Sequence, residues 1–448
     1  MSNNKPIKKY DFKKKPKDVP SWLLFLAVKF LAKPMMKKHN FKLDKINMDG
    51  LKPPYLLLSN HGSEYDFYIM YDTIYPNHTN NVVAIDAVHD HTEWFMRLAG
   101  CICKRKFTKE MDLLRNIKYS INKHKNIVVM YPEARYTFDG TTSYLPPSLS
   151  GLVRILKVPV VVLNMRGNFI SCPQWNKEKK YVPFEATMSQ IVTADEATTL
   201  SADEINKRIA DAFVYDDFAY QRDNNIIIDH PDRAKGLHSI LYQCPACGTE
   251  HMMNSEGSEL WCEKCGKRWQ MTELGELRSL DGETEFTHIP DWFRWERENV
   301  RAEVRSGKYY FEDEVKIETL PNAQMFVKHG KGKLVHNING FRIEGNIYGK
   351  DVSLEFPPLA LESIHIEFNY KKMGDAVDIS TPDESYWLAP CTKRDSITKL
   401  SLATEEIFAY ETEKKNAARL AARERKKALA EKQSKESGPS EVGAPNQV

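Results

Sequence analysis

The stretch Tyr55-Leu-Leu-Leu-Ser-Asn-His-Gly-Ser-Glu-Tyr-Asp66 passes from an apolar run into a cluster of polar side chains. Tyr55–Leu58 reads as a short buried strand. Asn60, His61 and Asp66 fall where that strand ends, and a helical pattern follows from Tyr65 through Ile69, Met70 and Ile74. A histidine and a carboxylate at such a junction can serve as a general base and its orienter. In one continuous helix, residues five apart lie about 140° apart around the axis, at roughly 100° per residue. His61 and Asp66 therefore meet only if the chain turns between them, and Gly62 and Ser63 supply turn chemistry there. The competing reading makes His61 the cap of a strand and Asp66 a solvated carboxylate at a helix start.

Outward from this stretch, apolar strand patterns lie at Tyr55–Leu58, Val82–Ile85, Cys101–Cys103, Ile127–Tyr131 and Val158–Leu163. Helical patterns alternate with them at Asp66–Thr73, Thr92–Leu98, Glu110–Asn122 and Leu149–Leu156. This alternation predicts an α/β domain with a largely parallel sheet, over residues 46–228. Sheets of this kind bind ligands at the carboxyl ends of their strands. His61, Lys104, Arg105, Glu133 and Arg135 all fall at or just after predicted strand ends, so they are expected to converge. Further on, Ser201-Ala-Asp-Glu204 is a capping box before a helix carrying Ile205, Ile209, Phe213 and Phe218.

Four motifs in this domain resemble those of the glycerolipid acyltransferases, the 1-acylglycerol-3-phosphate acyltransferase group. Asn60-His61-x4-Asp66 is similar to the first, and Gly100-Cys-Ile-Cys-Lys-Arg105 to the second. Tyr131-Pro-Glu-Ala-Arg135 resembles the third, usually Phe-Pro-Glu-Gly-Thr-Arg, and Val158-Pro-Val-Val-Val-Leu163 the fourth. The motifs stand about 40, 30 and 30 residues apart, and the resemblance covers roughly residues 45 to 225. In the third motif Ala134 replaces the usual glycine and one residue is missing, so without a gap Tyr136 takes the arginine position.

An alcohol is a poor nucleophile until a base removes its proton. Neutral imidazole suits that task, and a carboxylate fixes its tautomer. The resemblance implies His61 as base and Asp66 as orienter, with no covalent acyl-enzyme. It implies transfer of a fatty acyl group from acyl-CoA or acyl carrier protein to the free hydroxyl of 1-acyl-sn-glycerol 3-phosphate, in phospholipid biosynthesis. Lys104, Arg105 and Arg135 would meet the phosphate through charge-assisted hydrogen bonds. Asn60 and Glu133 would belong to the substrate site. For Glu133 the other reading is a structural carboxylate paired with Arg135. Another lysolipid or an amino lipid is the variant acceptor.

A net charge of +3 implies no global attraction to nucleic acid, but the N-terminal segment concentrates Lys5, Lys8, Lys9, Lys13, Lys14, Lys15 and Lys17. Such a run is a solvated tail or rests on anionic lipid. No segment approaches the ~20 apolar residues needed to span a bilayer. Trp22–Val28, with Phe30 and Leu31, reads as a helix started by Ser21 and limited by Pro34. It lies in a membrane interface or packs on the domain that follows. Residues 1–45 are therefore read as a basic tail and amphipathic helix, placing the protein in the cytoplasm, peripheral on the inner face of a membrane.

Cys244-Pro-Ala-Cys247 and Cys262-Glu-Lys-Cys265 are two C-x2-C knuckles, fourteen residues apart. Four thiolates close a tetrahedral zinc shell and leave no open position, so a structural zinc is expected within a ribbon at 236–275. His251 is not needed as a ligand. The remaining cysteines, Cys101, Cys103, Cys172 and Cys391, are scattered, which fits a reducing compartment. Lys264, Lys267 and Arg268 are balanced by Glu250, Glu256, Glu259 and Glu263, which argues against nucleic-acid binding.

Residues 288–410 open with a helix at Trp292–Val304 and continue as short strands. These are read at Val315–Leu320, Gln324–Val327, Gly332–His336, Phe341–Ile347, Val352–Phe356, Ile364–Phe368, Ala376–Ile379 and Tyr386–Leu388. A helix at Ile397–Tyr410 closes the domain. The element order resembles the pleckstrin-homology (PH) or GRAM type of small barrel, with a β-sandwich as the rival. Residues 411–448 read as a charged helix and a disordered tail. A non-catalytic membrane or nucleic-acid adaptor is the competing function, but it has no use for a His61/Asp66 pair.

Overall fold

The computed structural model describes residues 10–87, 93–108, 110–322, 325–370 and 373–436. The basic residues Lys5, Lys8 and Lys9, Gln324, and the tail beyond 436 lie outside them.

The first domain is built on a mixed sheet of seven strands. They are β1 (Lys42–Ile46), β2 (Leu56–Ser59), β3 (Thr79–Ala84), β4 (Ile102–Lys104), β5 (Ile127–Met130), β6 (Val160–Arg166) and β7 (Glu185–Val192). The sheet order is β1-β7-β6-β2-β5-β3-β4. Every pairing is parallel except that of β6 with β7. The sheet is thus mostly parallel, as the alternation predicts, with one antiparallel pair that the alternation does not announce.

Strand β2 lies inside the sheet, which accounts for its unbroken apolar sequence. Leu57 packs with Ile69 and Met70 of the helix Asp66–Ile74 on one face. Leu56 and Leu58 pack on the other with Val153 and Ile205, from the helices Leu149–Leu156 and Ala202–Ala212. All three leucines are fully buried. Half of the capping box forms as read: the backbone N–H of Glu204 donates to Oγ of Ser201 at 3.1 Å, while the Glu204 carboxylate accepts from Nε of Arg208 at 3.2 Å.

The amphipathic N-terminal stretch is longer than its sequence reading. It runs through Ser21–Ala27, a π turn at Val28–Ala32, and Lys33–Lys38. Pro34 does not end it: the proline directly follows the π turn, in which the N–H of Lys33 donates to the carbonyl of Val28, five residues back. Leu24, Val28, Ala32 and Met36, four apart, are buried against the sheet domain. Trp22, Phe25, Phe30 and Leu31 are exposed on the remaining surface. Among the described residues no helix is long and apolar enough to cross a membrane.

Strands β8 (Met253–Glu256), β9 (Glu259–Cys262), β10 (Arg268–Met271) and β11 (Leu277–Ser279) form a small sheet in the order β11-β10-β9-β8. Trp269 is fully buried there and meets Trp292, on the helix Ile289–Arg305, edge to face at 5.0 Å.

The third sheet is antiparallel. It comprises β12 (Tyr310–Thr319), β13 (Val327–Asn337), β14 (Gly340–Ile347), β15 (Lys350–Phe356), β16 (His365–Tyr370), β17 (Gly374–Ser380) and β18 (Ser385–Pro390). Their order is β15-β14-β13-β12-β18-β17-β16. The two short strands read around Val327 and His336 are one long β13. A helix, Ile397–Glu436, follows without a break, so the closing helix and the charged helix of the sequence reading are one element. Its first turns are buried through Leu400, Ala403 and Ile407, while residues from 415 to 431 are exposed. One continuous core links Phe138 and Phe169 of the first domain, Trp269 of the small sheet, and Ile317 and Leu400 of the third region.

Candidate active site

The chain turns as required after β2. Nδ1 of His61 donates to Oδ2 of Asp66 at 2.7 Å. The same carboxylate accepts the backbone N–H of Gly62 at 2.8 Å and that of Ser63 at 3.0 Å. Asn168, just beyond β6, donates from Nδ2 to Oδ1 at 2.6 Å. Asp66 is thus clamped by four donors, while its own position at the helix start also suits a negative charge. The glycine at 62 is a packing requirement, since a Cβ there would lie 2.5 Å from Nδ2 of Asn168.

With Nδ1–H committed to Asp66, the lone pair of His61 resides on Nε2. The His61 side chain is 22% exposed, against 2% for Asp66. Its ring lies between Tyr131, at a centroid distance of 4.3 Å, and Tyr136, at 4.0 Å. His61 opens onto a cavity of about 930 Å³ that also meets Tyr136, Lys104, Lys106 and Arg135, and His365 and Glu367 from β16. The cavity therefore lies between the first domain and the antiparallel sheet.

The basic motif residues do not share one fate. Lys104 lines the cavity, where burial lowers its ammonium pKa below the ordinary lysine value. Its Nζ donates to the carbonyl of Thr108 at 3.4 Å. Arg105 is 1% exposed and turns to the third region. Its guanidinium donates to the carbonyls of Leu320 (2.9 Å), Pro321 (3.3 Å) and Asp383 (3.3 Å), and to Oγ of Ser385 (3.0 Å). Arg135 donates to Oγ of Ser363 at 2.9 Å and of Ser401 at 2.8 Å, and pairs with Glu405 at 2.7 Å. Its guanidinium also lies 4.4 Å from the ring centre of Phe138. The convergence expected of these residues is therefore partial. Lys104 reaches the cavity beside His61, whereas Arg105 and the donors of Arg135 bind the antiparallel domain and its closing helix.

The acyltransferase family model, described as Acyltransferase, matches residues 37–166. These residues form an acyltransferase domain. Among solved structures, the chain is similar to the 1-acyl-sn-glycerophosphate (LPA) acyltransferase PlsC from Thermotoga maritima. The identity is 13% and the TM-score 0.34, over 43% of this chain and 77% of that one. No curated protein matches the chain.

Within the acyltransferase domain, Asn60 faces β6. Its Nδ2 donates to the carbonyl of Met165 and its Oδ1 accepts the N–H of Met165, both at 2.8 Å. That bidentate clip fixes the chain entering the His61 turn and leaves the side chain buried, away from the cavity lining. Glu133 is also buried behind the site. Tyr215 donates to its two carboxylate oxygens, each at 3.1 Å. Burial pushes the Glu133 pKa up to about 8, against the lowering effect of Tyr215. Its carboxylate is held by Tyr215 and by backbone N–H groups of Ser143 and His61, while Arg135 goes to Glu405. Ala134, at the family's glycine position, has φ +55°, in the left-handed region that glycine favours.

Sequence reading missed Asn168, the two flanking tyrosines and the cavity residues of β16. β2 lies between β5 and β6, so the residues just after those strands must flank His61. Nothing local marks His365.

The four cysteines of the small sheet come together. Their sulfur atoms all lie within 4.8 Å of one another, with Cys244–Cys265 and Cys247–Cys262 each at 3.8 Å. Tetrahedral zinc with Zn–S bonds of about 2.3 Å requires sulfur separations of about 3.8 Å. The residues fit a zinc ion.

Proposed function

We propose that this chain moves a fatty acyl group from an acyl-CoA or acyl-carrier-protein thioester to the free hydroxyl of a lysolipid, in glycerolipid biosynthesis. The observation that carries the reading is the 2.7 Å bond from His61 to a carboxylate already held by three other donors. Nε2 of His61 takes the hydroxyl proton as the acceptor oxygen attacks the thioester carbonyl. The carbon–sulfur bond then breaks, and the thiolate leaves with the proton returned by the imidazolium. Asp66 holds the tautomer and stabilises the transient positive charge. No group on the protein is acylated.

The family resemblance implies 1-acyl-sn-glycerol 3-phosphate as acceptor, with Lys104 as its cation. A second reading, another lysolipid or an amino lipid, is favoured by the engagement of Arg105 and Arg135 with the antiparallel domain. The adaptor reading has no role for the His61 turn. The test is purified full-length protein with labelled acyl thioester and a panel of lysolipids. Acylated product from one acceptor is expected; no transfer to any of them sinks the reading.

We place the functional units at residues 1–45, 46–228, 236–275, 288–410 and 411–448. The antiparallel unit, seven strands and a following helix, is read as a PH- or GRAM-type module. The zinc is structural, because four thiolates saturate it; one zinc per chain by atomic emission is the expected result. Exposed Trp22, Phe25 and Phe30, with the lysines at 13–17, support a peripheral contact with the inner face of a membrane. Loss of vesicle sedimentation on removing residues 1–33 tests that contact.

A further inference from the structure

The His61–Asp66 pair is backed by a second set of buried polar groups. Asn168, 1% exposed, opens the short helix Asn168–Ser171 just after β6. Its Nδ2 donates to Oδ1 of Asp66 at 2.6 Å. Its own Oδ1 is buried and has no hydrogen-bond partner among the described residues. The amide cannot turn over to pair that oxygen, because the oxygen would then face a carboxylate. Asn168 therefore leaves a buried acceptor unpaired in order to give its donor to Asp66. An unpaired buried acceptor lowers stability, so packing alone does not account for an amide at this place. With Asn168 present, each oxygen of Asp66 accepts two donors: Oδ2 from His61 and Gly62, Oδ1 from Ser63 and Asn168.

Asn168 is itself held in place by Asp217, on the helix Asp217–Asp223. Oδ2 of Asp217 accepts the backbone N–H groups of Gly167 at 3.1 Å and Phe169 at 3.2 Å, on either side of Asn168. The backbone N–H of Asp217 donates to the carbonyl of Gly140 at 2.9 Å. Gly140 in turn donates its N–H to Oγ1 of Thr137 at 3.1 Å, and Thr137 donates its N–H to the carbonyl of His61 at 2.8 Å. The connections thus run from His61 through Asp66, Asn168 and Asp217 back to His61. Two glycines let this ring close. A Cβ at Gly62 would lie 2.5 Å from Nδ2 of Asn168, and one at Gly140 would lie 2.7 Å from the Phe169 ring.

We propose that Asn168 and Asp217 are positioning residues for His61. Asp217 fixes the turn that carries Asn168, and Asn168 fixes the Asp66 carboxylate that holds the His61 tautomer. Without Asn168, Oδ1 of Asp66 keeps one donor, and the carboxylate is free to turn away from Nδ1 of His61. Neither Asn168 nor Asp217 lines the cavity, so substrate affinity does not depend on them. The proposal rests on the acyl-transfer reading for its effect on rate, but the His61–Asp66 bond is observable without turnover.

The experiment uses full-length protein and three readouts: kcat and KM with labelled acyl thioester, the unfolding midpoint, and the proton resonance of His61 Nδ1. That resonance is identified by its loss in His61→Ala. Asn168→Ala is expected to lower kcat about 10–100-fold, the worth of a hydrogen bond to a charged group, with KM unchanged. It should also displace or broaden the Nδ1 resonance. Asn168→Leu, which keeps the branched shape, serves if the alanine protein does not fold. Asp217→Ala should act in the same direction, whereas Asp217→Asn should keep most of the rate, because its amide oxygen still accepts backbone N–H groups. The double variant Asn168→Ala/Asp217→Ala should be no slower than Asn168→Ala alone, since both act through one link. A lowered midpoint with kcat and the Nδ1 resonance of the folded protein unchanged overturns the proposal. Losses that multiply in the double variant overturn the link through Asp217. A wild type without acyl transfer whose Nδ1 resonance still depends on Asn168 would retain the positioning of His61 and remove the catalytic reading.

Discussion

The His61 turn and the two motif arginines are both built from polar groups in a sheet domain, yet their connections differ in reach. Asp66 finds three of its four donors within five residues of itself. Arg105 finds Leu320 and Ser385, 215 and 280 residues away, and Arg135 finds Ser401, 266 residues away. The first arrangement is closed by a local turn, with Asn168 as its one distant support. The second exists only when the antiparallel domain is docked. A group satisfied locally is positioned by its own strand and helix. A long cationic side chain at a strand end takes whichever acceptors the assembled surface offers it.

The largest effect that separates the two regions is catalytic. His61→Ala is expected to lower acyl transfer by about 10²–10⁴-fold, the usual worth of a positioned general base, with little change in unfolding midpoint. Asp66→Asn should lose a comparable factor through the wrong tautomer. Steady-state rates with labelled thioester check both, and near-wild-type turnover in either would make the turn structural.

Next comes a loss of stability. Arg135→Met leaves Glu405 buried with Arg297, at 2.8 Å, as its remaining ion-pair partner. Breaking such a buried pair is expected to cost about 3 kcal/mol, the low end because Arg297 stays. Urea unfolding reads the loss, and the acceptor KM of the remaining folded protein should hold. An unchanged midpoint with a raised KM would instead return Arg135 to the acceptor site.

A smaller effect depends on pH. The Glu133 carboxyl rises from its ordinary value of 4.5 to about 8 on burial. The folded protein therefore holds a proton that the unfolded chain releases. This contribution to stability is fully present below pH 4.5 and is lost as pH rises to about 8. Glu133→Gln should remove that slope, which is at most about 1.4 kcal/mol per pH unit. Midpoints measured between pH 5 and 8 should converge less steeply toward instability in the variant; parallel curves would show that Glu133 is ionised in the folded state.

The smallest effect is local to the third motif. Ala134→Gly relieves a left-handed alanine, worth about 1–2 kcal/mol, and adds unfolded-chain entropy that offsets roughly half of it. A rise of a few degrees at most in Tm is expected, with kcat unchanged. A fall in Tm would mean the alanine methyl packs usefully.

Much of this molecule was open to reading from residue order alone. Leu56–Leu58 spell a strand covered on both faces, and Ser201 with Glu204 spells a helix start, because burial and capping are decided within a few residues. The His61–Asp66 pair and the four cysteines were legible for the same reason: a turn or a knuckle brings near neighbours together. Strands β1 and β7 were not. Lys42-Leu-Asp-Lys-Ile46 is an exposed edge with no apolar run, and Glu185–Val192 is only half covered, so its periodicity is diluted. Strand ends also told where Arg105 and Arg135 begin, but not where their charged tips finish. That was set by the docking of β12, β16 and the closing helix, whose buried carbonyls, serines and Glu405 required donors. The same docking carried His365 to the cavity of His61, a meeting between residues some three hundred positions apart that no local pattern encodes.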